Sequence, residues 1–268
     1  MHSFTQFNAS ATWIKHTVSA ACLATGLLMT QAASATTVQF QTVLGDFEVN
    51  LYDKTTPETV KNFLAYVNAN AYMNTIIHRS EVNFVVQGGG YKYTGAMPLV
   101  TIPQNAKVIN EPIYSNVRGT IAMAKLGSDA NSATNQWFFN LADNAANLDK
   151  QNGGFTVFGQ VTGNGMAIVD AIAALNRFNM GGALTKIPLR DYTTTDYTNN
   201  VAITDKNLML IQNVVVLNAD PDTAATLTPT KNILLNEKKD DGGGSMGLIS
   251  LLMLGLLALG RKRLLNRA

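Results

Sequence analysis

One cysteine and three histidines are all that this 268-residue sequence holds of two side chains widely used for metal binding and nucleophilic catalysis. Cys22, His2 and His16 fall in the first 35 residues, which read as a cleavable secretory signal, so His78 alone is expected in the mature chain. That excludes a zinc site built on two or three imidazoles and a Cys–His nucleophile pair. Charge is scarce as well: Asp, Glu, Lys and Arg make up 14% of the chain, against roughly 25% in an average soluble domain. The net charge is +2, but Lys15, Arg261, Lys262, Arg263 and Arg267 sit near the ends, and without them 15 basic residues face 18 acidic ones. A mildly acidic central portion predicts no nucleic-acid partner. No Gly-x-Ser-x-Gly elbow is present for a serine triad. Gly88-Gly89-Gly90 lacks a following Lys-Ser or Lys-Thr, so it reads as a bulge or tight turn ending a strand, not a phosphate loop. No motif points to the paired carboxylates of a glycosidase.

The two ends read as addresses. Lys15 and His16 precede an apolar run from Val18 to Met29, and Ala33-Ser34-Ala35 offers the small side chains a signal peptidase accepts, so Thr36 is expected to begin the mature protein. At the other end, Gly242-Gly243-Gly244-Ser245 is followed by an apolar stretch, Met246 to Gly260, and by Arg261-Lys262-Arg263. As a helix that stretch spans about 22 Å, marginal for a hydrocarbon core of about 30 Å, with the basic cluster on the cytoplasmic side. Glycines, short transmembrane helix and basic cluster, residues 242–268, resemble the glycine–glycine C-terminal sorting signals of Gram-negative secreted proteins. The resemblance implies a rhomboid-type protease as a partner, cleavage near the glycines, and passage from the periplasm to the cell surface or medium. The alternative is a tail kept as an inner-membrane anchor.

Residues 36–218 are expected to fold as one domain, with 219–241 as a linker. Phe47, Val49 and Leu51 alternate with Glu48 and Asn50, and Val38 and Phe40 do the same before Leu44-Gly45-Asp46, which predicts a hairpin. Apolar runs recur at Ile76-Ile77, Phe84 to Val86, Thr120 to Ala124, Trp137 to Phe139, Phe155 to Val161 and Val214 to Leu217. Two helices are predicted. The first is capped by Thr56, with Pro57 in its first turn and a stripe of Val60, Phe63, Leu64 and Val67. The second runs from about Met166 to Leu175, with Ile168, Ile172 and Leu175 on one side. The fold class is therefore mainly β, a closed or nearly closed antiparallel barrel with helices over its ends.

Five motifs then stand in register: Ile77-His78-Arg79; Phe84-Val85-Val86-Gln87-Gly88-Gly89-Gly90; Arg118-Gly119-Thr120-Ile121-Ala122-Met123-Ala124; Ser132 to Asn140; and Leu148-Asp149 with Phe155 to Gly159. Together with Phe63 to Asn68 they resemble the cyclophilin family of peptidyl-prolyl cis-trans isomerases over about Thr37 to Leu217, most closely the bacterial periplasmic type. The resemblance implies an eight-stranded, closed antiparallel barrel capped by two α-helices, a monomer with no cofactor and no metal, and proline-containing polypeptides as substrates. It implies catalytic roles for Arg79 and Gln87, a proline pocket of Phe84, Val85, Phe138, Leu148 and Phe155, and a peptide groove along Ala124, Lys125 and Gln136. The backbone N–H of Lys125 is the implied partner for the residue before proline. A proline-peptide binding module or chaperone with little turnover is the alternative; retention of Arg79, Phe84, Gln87 and Phe138 favours the enzyme.

The sequence departs from the family pattern in places. Ser80-Glu81-Val82-Asn83 replaces an apolar pair followed by Pro-Gly, and Val85 and Phe155 replace a methionine and a histidine or tyrosine. Asn147 stands where many eukaryotic members have the tryptophan that binds cyclosporin. His78 is expected to be a buried, hydrogen-bonded structural residue. Residues 176–213 are longer than compact members need and rich in Thr, Asn and Tyr.

Overall fold

Period-two alternation is the first pattern to become structure. In the computed structural model, which describes residues 36–219, 224 and 227–236, β1 (Thr37–Thr42) buries Val38, Phe40 and Thr42, and β2 (Phe47–Leu51) buries Phe47, Val49 and Leu51. The two pair antiparallel with Phe40 opposite Phe47, forming the expected hairpin. The expected signal segment 1–35 and sorting tail 242–268 lie outside the described residues. Among those residues, no helix is long and apolar enough to cross a membrane.

Both predicted helices form. Pro57 opens α1 (Pro57–Asn68), which buries Val60, Phe63 and Val67 with Leu64 packed beside them. Thr56 does not cap it. Its hydroxyl donates to the Tyr52 carbonyl at 3.2 Å, and the Glu111 carboxylate instead accepts from the N–H of Glu58 (3.4 Å) and of Thr59 (2.9 Å). A carboxylate at that end meets unpaired N–H groups and the positive pole of the helix dipole. The second predicted helix is α3 (Gly165–Ala174), which follows the single turn α2 (Ala145–Leu148). It buries Val169 and Ile172, and Ile168 and Leu175 flank them. Gly165 permits its close approach, since a Cβ there would lie 2.6 Å from Val161 Cγ1 and 3.0 Å from Phe47 Cβ.

The remaining strands of the main sheet are short: β3 (Thr75–Ile76), β4 (Arg79–Ser80), β5 (Val85–Gly88), β6 (Tyr91–Lys92), β7 (Val100–Thr101), β8 (Thr120–Met123), β9 (Trp137–Asn140) and β10 (Val157–Val161). After β11 (Asn176–Phe178) and β12 (Ile187–Leu189), which form a sheet of their own, β13 (Leu210–Asn218) completes it. The hydrogen-bonded order is β4-β5-β9-β8-β10-β2-β1-β13-β3-β6-β7, antiparallel throughout. The expectation of eight strands closed into a barrel is corrected by this: the sheet is a curled, eleven-stranded one whose order has two ends.

The reason lies at Ile77-His78. The chain from Thr75 to Ser80 changes partner there, Ile77 N–H donating to Met209 O (3.0 Å) and His78 N–H to Gln87 O (3.1 Å). One run of sequence therefore supplies two strands far apart in the sheet order, which curls the sheet, while the β6–β7 hairpin extends it.

Alternation also divides the apolar side chains. Val86, Ile121, Met123, Trp137 and Phe139 point into the main core, where the Phe40 ring lies 5.0 Å from Trp137 and 5.3 Å from Phe139. Their neighbours Val85, Ala122 and Phe138 face the other way into a second cluster. Residues 176–208 are ordered as well. The β11–β12 hairpin and the short helix α4 (Thr194–Thr198), closed by a reciprocal Thr193–Asp196 cap, stand on a third cluster of Ile76, Phe178, Ile187, Leu189, Tyr192 and Leu208. Within the stretch read as a linker, Ser115 N–H donates to Thr230 O (2.8 Å) and Asn232 N–H to Ile113 O (2.9 Å).

Candidate active site

A single row of cross-strand partners organises the site. Arg79 stands opposite Gln87, Gln87 opposite Phe138, Phe138 opposite Ala122, and Ala122 opposite Val157. Facing positions share a side of the sheet, so the register alone carries a cation, an amide and an aromatic ring onto the outer face of β5, β9 and β8.

Two local features fix that register. Asn83, at φ +52°, occupies the left-handed region that asparagine tolerates better than most residues, and makes the turn in which Phe84 N–H donates to Glu81 O (3.1 Å). Gly89, at φ +81°, follows the end of β5, and a Cβ there would lie 2.5 Å from the Asn135 carbonyl. The glycine run thus ends the strand in a tight turn, as expected.

Polar side chains link along the row. Arg79 Nη1 donates to Gln87 Oε1 (3.3 Å) and Nη2 to Glu81 Oε1 (3.1 Å), and Gln87 Nε2 donates to Gln136 Oε1 (2.9 Å). Gln87 is buried, and the Arg79 side chain keeps 12% of its surface exposed. Burial pulls the guanidinium below its usual pKa, opposed by the charge and hydrogen bond of Glu81. His78 beside it is buried against the edge of Tyr91, and its pKa falls to about 3 because burial, and then the Arg79 charge, disfavour the imidazolium. It is buried as expected, but its Nδ1 has no hydrogen-bond partner among the described residues.

The five expected pocket residues come together. Val85, Phe138, Leu148 and Phe155 belong to one buried cluster with Phe84 packed against it, and the Phe138 and Phe155 rings meet edge to face at 5.8 Å. Leu227, from beyond the sheet, packs against the same cluster. Asn147 is exposed on α2.

Ala124, Lys125 and Gln136 line a cavity of about 400 Å³ together with Gln104, Asn105, Ser132 and Thr134. The backbone N–H of Lys125 has no partner among the described residues. Its ammonium turns inward, donating to the carbonyls of Asn152 (2.7 Å) and Gly154 and lying 4.8 Å above the Phe155 ring. Burial lowers its pKa to about 8 against the opposing charge of Asp129. Among the described residues no cluster of three His, Cys, Asp or Glu exists that could hold a metal ion.

Sequence reasoning missed Gln104 and Asn105, which carry no motif of their own, and gave no role to Ser132 and Thr134, although both stand in the Ser132 to Asn140 motif. It also missed Glu81, though its departure from an apolar family position was a visible signal.

Residues 37–194 match the family of cyclophilin type peptidyl-prolyl cis-trans isomerases. A peptidyl-prolyl cis-trans isomerase of Acinetobacter baylyi is 41% identical over 150 residues, covering 55% of this chain and 78% of that protein. Peptidyl-prolyl cis-trans isomerase A of Dickeya dadantii is 40% identical over 152 residues, covering 56% and 77%. Peptidyl-prolyl cis-trans isomerase B of Escherichia coli is 38% identical over 146 residues, covering 50% and 82%.

Proposed function

The chain belongs to the cyclophilin family and is a peptidyl-prolyl cis-trans isomerase, and we propose that it turns Xaa-Pro bonds over at the row from Arg79 to Phe138. Amide resonance sets a barrier of about 18–20 kcal/mol to that rotation. As the bond twists, the proline nitrogen becomes pyramidal and its lone pair localises. A guanidinium aimed at that nitrogen gains interaction only in the twisted state, which lowers the barrier without tightening the ground state. Arg79, largely desolvated and tethered by Gln87, is the cation on that row; the Lys125 ammonium beside Phe155 is committed to the Asn152 and Gly154 carbonyls.

The proline ring sits against Phe84, Val85, Phe138, Leu148 and Phe155. The peptide runs on past Gln136 towards Ala124 and Lys125, whose free N–H receives the carbonyl of the residue before proline. Lys125 contributes by a second route: its ammonium ties the Asn152–Gly154 turn and holds the Phe155 ring. The observation that carries this reading is the cross-strand row itself.

The clients are exported polypeptides with exposed prolines, and the enzyme is of the bacterial periplasmic type. It leaves the cytoplasm through signal cleavage after Ala35 and reaches the cell surface after a rhomboid-type protease trims the tail. The support for this is the sequence of the two ends, together with the hydrogen bonds that hold Thr36 to Asp53 (2.7 and 2.9 Å) at the start of the domain.

The test is a protease-coupled isomerisation assay on residues 36–241. Arg79→Ala should lower kcat/KM by about 100-fold or more while the melting transition persists. Unchanged turnover in a folded Arg79→Ala protein would remove Arg79 from the mechanism.

A further inference from the structure

Segment 176–208 is docked on the strand that carries Arg79. Arg79 and Lys186 form a parallel bridge, Ser80 N–H donates to Lys186 O (2.9 Å), and Ile187 and Leu189 anchor the segment in the third cluster with Ile76. From there Lys186 Nζ reaches Glu81 Oε2 at 2.6 Å, while Glu81 Oε1 accepts from Arg79 Nη2 at 3.1 Å. One carboxylate thus spends its two oxygens on two cations.

We infer that Lys186 and Glu81 are a positioning pair for Arg79, through which segment 176–208 governs the isomerase site. The inference rests on the reading of Arg79 given above. Arginine is long, and its 3.3 Å bond to Gln87 is to a neutral amide, whereas Glu81 meets it with a charge. Glu81 fixes the second nitrogen of the guanidinium. A carboxylate committed wholly to Arg79 would also neutralise the field that the twisted bond needs. Lys186 holds the other oxygen, so the carboxylate stays in one rotamer and part of its charge is answered elsewhere. Arg79 and Glu81 keep 12% and 22% of their side-chain surface exposed and Lys186 keeps 52%, so the outer half of the relay lies open to salt and the inner half does not.

The experiment compares kcat and KM of the full chain with those of Glu81→Gln, Lys186→Met, Lys186→Arg and the Glu81→Gln/Lys186→Met double variant, each checked by thermal melting. Glu81→Gln should lower kcat about fivefold with KM within about twofold, and Lys186→Met about two- to threefold with the same split. Because Lys186 acts through Glu81, the double variant should match Glu81→Gln, and Lys186→Arg should restore the full rate. Salt at about 0.5 M should bring the unmodified enzyme down towards Lys186→Met and leave Glu81→Gln unmoved.

Full kcat in both single variants, multiplied losses in the double variant, or a change confined to KM would each overturn the pair. Arg79→Ala separates the two readings. If it abolishes turnover while Glu81→Gln keeps full kcat, only the positioning role falls; if it turns over normally, both fall.

Discussion

Gln87 and Phe138 face each other across β5 and β9, so the amide that tethers Arg79 and a ring of the expected proline pocket are set by one register. A slip of one residue in β9 would turn Phe138 into the main core and Phe139 out of it. Phe138 is nearly wholly buried, at 1% exposure. Phe138→Ala should therefore cost about 3–5 kcal/mol of stability and raise KM, with calorimetry and substrate titration as the readouts. Phe138→Leu, which keeps an apolar side chain there, should retain most of the stability and less of the affinity.

His78 makes the protein sensitive to acid. Its folded-state pKa of about 3 lies below the ordinary value of 6.5, so between those limits the unfolded chain binds a proton that the native one refuses. Stability contributed by the neutral ring is complete above about pH 6.5 and drains away as the pH falls towards 3. Denaturant midpoints across that range should fall more steeply for the unmodified protein than for His78→Leu. Parallel curves would show that other groups carry the acid response.

The Thr36 N–H and hydroxyl both bond the Asp53 carboxylate. The proposed signal cleavage after Ala35 would turn that N–H into an ammonium, and the hydrogen bond into a partly buried ion pair. Asp53→Asn should then lower the melting temperature of a chain starting at Thr36 by a few degrees, equivalent to about 1 kcal/mol. A chain still carrying Ala35 should lose less. N-terminal sequencing of exported protein identifies which form is present.

Asn147 is exposed on α2, beside buried Leu148. An asparagine there offers neither an indole N–H nor a broad apolar face, so cyclosporin should bind weakly. Asn147→Trp should tighten it by about 2 kcal/mol, read by inhibition of turnover. Tight inhibition of the unaltered protein would count against this.

The proposed trimming of the tail has a direct assay. Mass spectrometry of protein from the medium or cell surface should find C-termini near Gly242–Ser245. Intact Arg261-Lys262-Arg263 in inner-membrane fractions would mark the tail as an anchor instead.

What was legible in the sequence was local. Alternation in β1 and β2, the apolar runs that became β5, β8, β9 and β10, and the proline that opens α1 all act within a few residues. The grouping of Phe84, Val85, Phe138, Leu148 and Phe155 in one cluster was legible through the family motifs, and period two agrees with it by turning Val85 and Phe138 away from Val86 and Phe139. What escaped depends on partners distant in sequence. Glu111 replaces Thr56 at the start of α1 from more than fifty positions away. The change of partner at Ile77-His78 leaves no mark on composition, so a closed eight-stranded barrel was expected where a curled eleven-stranded sheet stands. The strands and helix of 176–208 are three to five residues long, too short for periodicity to reveal, and their stability comes from the cluster beneath them.

The hydrogen bonds of Thr230 and Asn232 to the Ile113–Ser115 stretch, with the Asn232 side chain on the Asp149 carbonyl (3.0 Å), would also set how long a leash the proposed tail gives the enzyme. Had the chain come loose at residue 219, more than twenty residues would separate the domain from the glycines at 242. Secured through Asn232, it has fewer than ten, a reach of at most about 35 Å even fully extended. An enzyme still attached by its tail would patrol a thin layer at the membrane, where newly translocated chains emerge. Release by the proposed cut would open the whole compartment to it, and would change which polypeptides it meets without altering a single residue of the cluster around Phe138.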